Sequence, residues 1–298
     1  SDQGVLFPRM TSSERDAIAN PAQGLTIYNR TENCLQWWNN SGWYDACTGN
    51  TFVASVSGSS FTNGFENNTT CSSKLISVTP CSAVAGASIN DDASTTEGIE
   101  YDWTEASNTT LGEGFGAPSN TRALVEIGGQ CWAKFNMNIE TNSGSFCYQN
   151  NANICATDGR LYQWDAAMDN TTAERDQGAC PDGWHVPSDC EWMYLENTLG
   201  MDVAEQDIIG QRNTGDVGSQ LSSDTSNGDN SSGFSALLAG RRRATGAFFE
   251  RNLLAQFWTS TNTSANLAIY RRLRTSQTGV RRVNLNKDNA ISLRCLKD

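Results

Sequence analysis

His185 is the only imidazole in the chain, so a Ser-His-Asp or Cys-His arrangement for nucleophilic catalysis has to pass through it. It stands in the turn Gly183-Trp184-His185-Val186-Pro187, directly ahead of a capped helix, where a structural hydrogen-bonding role is expected. No acidic pair has a spacing that singles out a glycosidase dyad. No catalytic residue is assigned, and an enzyme is not expected. Ten cysteines beside one histidine do not supply the usual zinc sets, and none forms a CxxC pair. Disulfides are the expectation instead, which leaves no soft ligand set and no call for a metal or organic cofactor. Asp91, Asp92, Glu97, Glu100, Asp102 and Glu105 form an acidic cluster, but their spacing matches no EF-hand loop, and a solvated face is the simpler account.

Charge is distributed unevenly. Residues 1–239 carry 9 Lys+Arg against 30 Asp+Glu, or −21, whereas residues 240–298 carry 12 against 3, or +9. Two arrangements fit this pattern: basic strands lying against acidic segments of the same fold, or head-to-tail docking between copies. The second makes Arg271, Arg272, Arg281 and Arg282, facing Asp91, Asp92, Glu97 and Glu100, a candidate interface. Polyanion binding by the arginines is disfavoured, because neighbouring side chains of a strand such as Tyr270-Arg271-Arg272-Leu273-Arg274 point to opposite faces. Nucleic acid is thus an unlikely partner.

These groups need a scaffold. Only 18% of residues are charged, so the surface is chiefly Asn, Ser, Thr and Gly, residues that favour turns over helices. The predicted fold class is α+β and β-rich, in three parts. Residues 1–50 are a small module with a short helix over about 12–19 and strands at Leu25–Asn29, Cys34–Asn39 and Trp43–Cys47. Residues 51–121 are a thin Ser/Thr/Asn-rich β segment, poor in core and supported by neighbouring domains or subunits. In residues 122–298 a helix is predicted from about Gly159, with Leu161, Trp164 and Met168 on one face. A second starts at the Ser188/Glu191 capping box and stops at Gly200. Gln220–Gly233 is a long loop, and strands follow at about 234–240, 246–250, 256–261, 267–274, 279–285 and 290–297. No run is long enough to span a membrane. Ser1 in place of an initiator Met suggests a processed chain.

Two stretches resemble known families. Gly4-Val5-Leu6-Phe7-Pro8-Arg9-Met10-Thr11 with Gly24-Leu25-Thr26-Ile27-Tyr28-Asn29 resembles a segment near the start of secreted Bacteroidetes-type surface proteins and of some phage-tail-like proteins. Val125-Glu126-Ile127-Gly128-Gly129-Gln130-Cys131-Trp132, Cys147-Tyr148, Tyr162-Gln163-Trp164, Cys180-Pro181-Asp182-Gly183-Trp184-His185-Val186-Pro187-Ser188, Gly233-Phe234-Ser235-Ala236-Leu237, Phe257-Trp258-Thr259-Ser260-Thr261 and Ser292-Leu293-Arg294-Cys295 resemble the Fibrobacter succinogenes major paralogous domain. Their order also resembles the C-type-lectin-like fold. The resemblance implies an extracellular address and a C-type-lectin-like domain with two helices and antiparallel strands, not an established chemistry. The lectin signature of Glu-Pro-Asn or Gln-Pro-Asp with Trp-Asn-Asp is missing.

The same resemblance implies a Cys180–Cys295 disulfide. Sequence proximity suggests Cys34–Cys47, Cys71–Cys81 and Cys147–Cys155, and Cys131–Cys190 remains by elimination. Oxidised cysteines place the chain outside the reducing cytosol. The functional expectation is a secreted, structural or adhesive cell-surface protein that self-associates as a homopolymer, plausibly the repeating subunit of a pilus-like filament or appendage. The alternatives are a monomeric lectin-like protein for a surface glycan or receptor, and a polyanion binder.

Overall fold

A computed structural model of the chain describes residues 7–10, 15, 18, 21–30, 34–38, 43–45, 51–52, 65–71, 74–91, 95–103, 122–222 and 228–298. The chain divides into two compact units, Ser1–Glu66 and Asn67–Asp298.

The first unit is a five-stranded sheet, β1 (Arg9–Met10), β2 (Thr26–Asn29), β3 (Cys34–Trp38), β4 (Trp43–Asp45) and β5 (Thr51–Phe52), in chain order. The pair β1–β2 is parallel and the other pairs are antiparallel. Alternation sends Ile27, Asn29, Cys34 and Gln36 inward. The two buried amides are satisfied locally: Gln36 Oε1 accepts from Arg15 Nη1 at 2.8 Å and from Asn29 Nδ2 at 3.0 Å. The predicted strands are present with slightly shorter bounds. Of the predicted helix over 12–19, only Arg15, which is helical, and Ile18 lie within the described residues. Cys34 is disulfide-bonded, but its expected partner Cys47 lies outside them.

The described residues of the second unit form three antiparallel sheets. Its strands are β6 (Ala87–Ile89), β7 (Ile99–Trp103), β8 (Leu124–Ile127), β9 (Gln130–Ala133), β10 (Ser145–Phe146), β11 (Leu161–Gln163), β12 (Trp184–His185), β13 (Gly210–Arg212), β14 (Arg241–Arg242), β15 (Phe248–Phe249), β16 (Leu254–Ser264), β17 (Leu267–Arg274), β18 (Val280–Asn286), β19 (Ala290–Ile291) and β20 (Leu296–Lys297). The sheet orders are β12-β20-β9-β8-β7-β6, β10-β11-β19-β14-β15 and β13-β18-β17-β16. The described helices are short: α1 (Ala152–Asp158), α2 (Trp164–Ala167), α3 (Asp189–Thr198), α4 (Val203–Gln206) and α5 (Val217–Leu221).

Two apolar clusters lie on opposite faces of the six-stranded sheet. Leu124, Cys131 and Ala133 join Trp184 and Trp258 in one, and Val125, Ile127 and Trp132 join Trp192, Phe234 and Phe257 in the other. A sheet buried on both faces needs the near-continuous apolar strands that β8 and β9 supply. Gly128 and Gly129 join them with φ of 59° and 77°, the left-handed pair that a two-residue hairpin turn requires. A Cβ on Gly128 would also come within 2.6 Å of Thr198.

Several expectations are corrected. Residues 67–103 do not form a thin segment of their own: β6 and β7 extend the six-stranded sheet through β8, so the support comes from the same chain. The helix predicted from Gly159 is a strand followed by one helical turn, because Leu161 and Tyr162 pair with β10 and β19 before Trp164 turns inward. Helix α1 was not anticipated; Asn151 caps it, accepting from Asn153 N. Residues 234–240 form no strand, only a bridge at Ala236, because the carbonyls of Phe234 and Ser235 accept from Arg294 at 2.7 and 2.8 Å.

The disulfides Cys147–Cys155 and Cys180–Cys295 are as expected. Cys71–Cys81 and Cys131–Cys190 are not formed. The bonds are Cys71–Cys190 and Cys81–Cys131, spanning 119 and 50 residues. Cys71 lies against α3, in contact with Met193, while the segment before Cys81 runs along β9, where Cys131 N donates to Thr79 O.

Candidate functional site

Helix α3 organises the charged residues. Nine of its ten residues, Asp189–Asn197, are buried, although they include Asp189, Glu191 and Glu196, and buried carboxylates require partners. The capping box forms as predicted, with Glu191 N donating to Ser188 Oγ and the Glu191 carboxylate accepting from Ser188 N. Glu191 has further partners: Ser77 N at 2.8 Å, Arg175 Nε at 2.8 Å and His185 Nε2 at 3.1 Å.

His185 is therefore held from both sides, its Nδ1 lying 2.6 Å from Asp298 Oδ1. Burial lowers its pKa, but the hydrogen bonds that the ring donates to the Asp298 and Glu191 carboxylates overcome that effect and raise it. Glu191 is held below the usual carboxylate range, with burial opposed by His185 and Arg175. The histidine is 1% exposed, and the nearby hydroxyl, Ser188 Oγ, donates to Glu191. The arrangement localises a proton between carboxylates and ties the last residues of the unit to the start of α3.

The other two carboxylates of α3 meet arginines of the four-stranded sheet. Arg271 Nη1 donates to Asp189 Oδ1 at 2.6 Å and its Nε to Glu196 Oε1 at 2.7 Å. Arg282 forks onto Asp189, and Arg212 onto Glu196 at 2.6 and 2.7 Å. Burial raises and the guanidiniums lower the pKa of both carboxyls, leaving each below its ordinary value.

This network corrects the candidate interface. Arg271 and Arg282 are buried within one subunit and are not available for docking. Arg272 and Arg281 point to the opposite face of the sheet and are partly exposed, as strand alternation requires. Glu100 is buried too, paired with Lys134 and with Arg122 at 3.5 Å. Asp91 and Glu97 are exposed, and Asp92 and Glu105 lie outside the described residues. Among the described residues, no group of three or more His, Cys, Asp or Glu is placed to hold a metal ion.

In the sequence Arg294 stands out only as part of the family resemblance, and Gln256 carries no assigned role. Arg294 is fully buried, stacks 4.7 Å from the Phe234 ring centroid and spends its donors on Asn136 and three carbonyls. Gln256 is fully buried beside the arginines on the second face of the sheet. Its place in an apolar strand was the available signal.

The fold and its charged helix define a β-rich, disulfide-stapled domain whose ionisable centre is internal. Residues 125–297 match the Fibrobacter succinogenes major domain, and the chain belongs to that family. Residues 1–64 match the phage tail like trimerisation region. No curated protein and no solved structure matches the chain. The two matches support a surface or structural protein that self-associates. The four disulfides with both cysteines among the described residues fit an extracellular setting. Among the described residues no helix is long and apolar enough to cross a membrane.

Proposed function

We propose that the chain is a non-enzymatic, secreted surface protein that trimerises through its first unit and displays its second unit as a structural or adhesive head on an extracellular appendage. One observation carries this reading: the trimerisation match covers residues 1–64, and the first compact unit ends at Glu66. The segment that resembles an oligomerisation region is thus a separate structural unit.

The head-to-tail route to a filament has lost its charge argument, since Arg271 and Arg282 serve α3. Assembly through residues 1–66 replaces it. The resemblance of the second unit to a C-type-lectin-like fold remains part of the proposal, with binding, not catalysis, as its role. Light scattering coupled to size exclusion tests the core of the reading. The full chain should elute at three times its 32.4 kDa mass, independently of ionic strength. A monomer at every concentration would refute it.

A further inference from the structure

The chain enters the second unit at a fixed point. The first unit ends at Glu66 and the next residue, Asn67, already belongs to the second, so no linker separates them. Asn68 is 1% exposed. Its Oδ1 accepts from Thr70 N and Cys71 N at 3.0 and 3.1 Å, and its Nδ2 donates to Gln206 Oε1 of α4 at 2.7 Å. Cys71 is then bonded to Cys190 of α3. The entrance is locked onto two helices and stands in the same place in every copy.

Beside this entrance an apolar turn stands clear of the fold. α4 ends at Gln206, and Ile208 and Ile209 follow, 47% and 53% exposed. Two residues of chain reach at most about 7 Å, so Ile208 is close to the residue that holds Asn68. Successive side chains of an extended segment point to opposite sides, and one of them is normally turned inward; here neither is. The turn is nonetheless held in place: Ile208 N donates to Glu205 O at 3.1 Å, and Asp207 O accepts from Arg282 Nη1 at 2.8 Å. Ile209 leads directly into β13, which among the described residues pairs with β18 alone and is an edge of the four-stranded sheet. Exposed branched side chains at an open sheet edge invite another chain unless something covers them.

The match to a trimerisation region ends at residue 64, just before this entrance. If the first units trimerise, three second units are attached to them without linkers. Chains of these lengths, residues 67–298 and 1–66, have radii of gyration of about 17 and 11 Å. Heads wider than their base crowd against each other, and the surfaces beside the three entrances are brought together. We propose that Ile208 and Ile209 form the contact between second units of the trimer, each pair packing against a neighbouring copy of the chain. Two isoleucines per copy fall far short of the roughly 800 Å² per partner of a self-sufficient interface. The contact therefore forms only between copies already joined, where a short tether raises the effective concentration to the millimolar range. It fixes the orientation of the three heads. This inference rests on the trimer reading and adds to it the surface through which the heads touch.

The test places the photo-crosslinker p-benzoylphenylalanine in the full chain in place of Ile208, Ile209 or Leu253. Irradiated samples are read on reducing denaturing gels, and the same samples before irradiation by light scattering. Leu253 is the control: it is 50% exposed and precedes β16, the opposite edge of the same sheet, about 14 Å away across three strand spacings. Covalent dimers and trimers are expected from positions 208 and 209, in yields that dilution does not change, and not from position 253. Ile208→Ser combined with Ile209→Ser should keep the trimer mass, which the first unit carries, and should increase the radius of gyration in small-angle scattering as the heads come apart. A trimer that gives no crosslinks from 208 and 209 overturns this inference alone, whereas a monomer by light scattering overturns the trimer reading with it. The inference also fails if position 253 crosslinks as well as 208 and 209, if the yields fall on dilution, or if the double Ser variant scatters like the unaltered protein.

Discussion

Replacing Glu196 with Gln perturbs the centre of the second unit without changing its shape. The carboxylate is fully buried and accepts from Arg212 at 2.6 and 2.7 Å and from Arg271 at 2.7 and 3.3 Å. Together with Asp189 it faces three guanidiniums, those of Arg212, Arg271 and Arg282. The amide leaves one carboxylate against three buried cations. Breaking a buried ion pair costs about 3–5 kcal/mol, and here one substitution breaks two, so the loss should reach at least the upper end of that range. Arg271→Met leaves two carboxylates against two guanidiniums, each still paired, and should cost about 3 kcal/mol. Either loss is large against a total stability of about 5–15 kcal/mol. Urea denaturation followed by tryptophan fluorescence measures both, Trp192 being on the same helix. The difference should persist in high salt, because buried pairs are poorly screened. If Glu196→Gln costs less than about 1 kcal/mol, the range of exposed pairs, or if Arg271→Met proves the more damaging, the reasoning fails.

Further outcomes follow from the same structure. Asp189, Glu191 and Glu196 have depressed pKa values, so their stabilisation is complete above about pH 4 and is lost as pH falls through the folded values. His185 has a raised one, so its stabilisation is complete below about pH 6.5 and is lost as pH rises through the folded value. Urea midpoints should therefore peak between about pH 5 and 6.5, and His185→Gln should flatten the alkaline limb. Removing Cys71–Cys190, which spans 119 residues, should cost about 5 kcal/mol by loop entropy, against about 2.5 for Cys147–Cys155, which spans 8; paired Ser variants in denaturant titrations give the ratio. A chelator should leave the melting temperature within about two degrees, since the described residues offer no metal-ligand cluster; a larger drop in a thermal scan would revive a calcium site.

Elements with local signals were legible in the sequence. The capping box of α3, its glycine stop and the long hairpin strands β16 to β18 are set by side chains within a few residues of one another. So was the division of the arginines, because alternation along β17 alone sends Arg271 and Arg272 to opposite faces. What failed depended on distant contacts. Cys71 and Cys81 are close in sequence, but each is drawn to a different element, α3 and β9. Leu161, Trp164 and Met168 have helical spacing and are all buried, yet the first belongs to a strand, since three buried positions satisfy either structure until the partner strands are known. The internal role of Arg271 and Arg282 was equally hidden, because their carboxylates lie 75 to 93 residues earlier.

The position of β20 bears on when the second unit can fold. Leu296–Lys297 lies between β12 and β9, Cys295 closes on Cys180, and Asp298 holds His185. The place next to the β12 edge of the six-stranded sheet is thus filled by residues that follow all the others of the unit in sequence. Without them β12 and β9 lose the strand that joins them, and His185, which holds Glu191 in the first turn of α3, loses its partner Asp298. The second unit therefore closes as a whole: its largest sheet, the Cys180–Cys295 bond and the anchoring of α3 all wait on the same four residues.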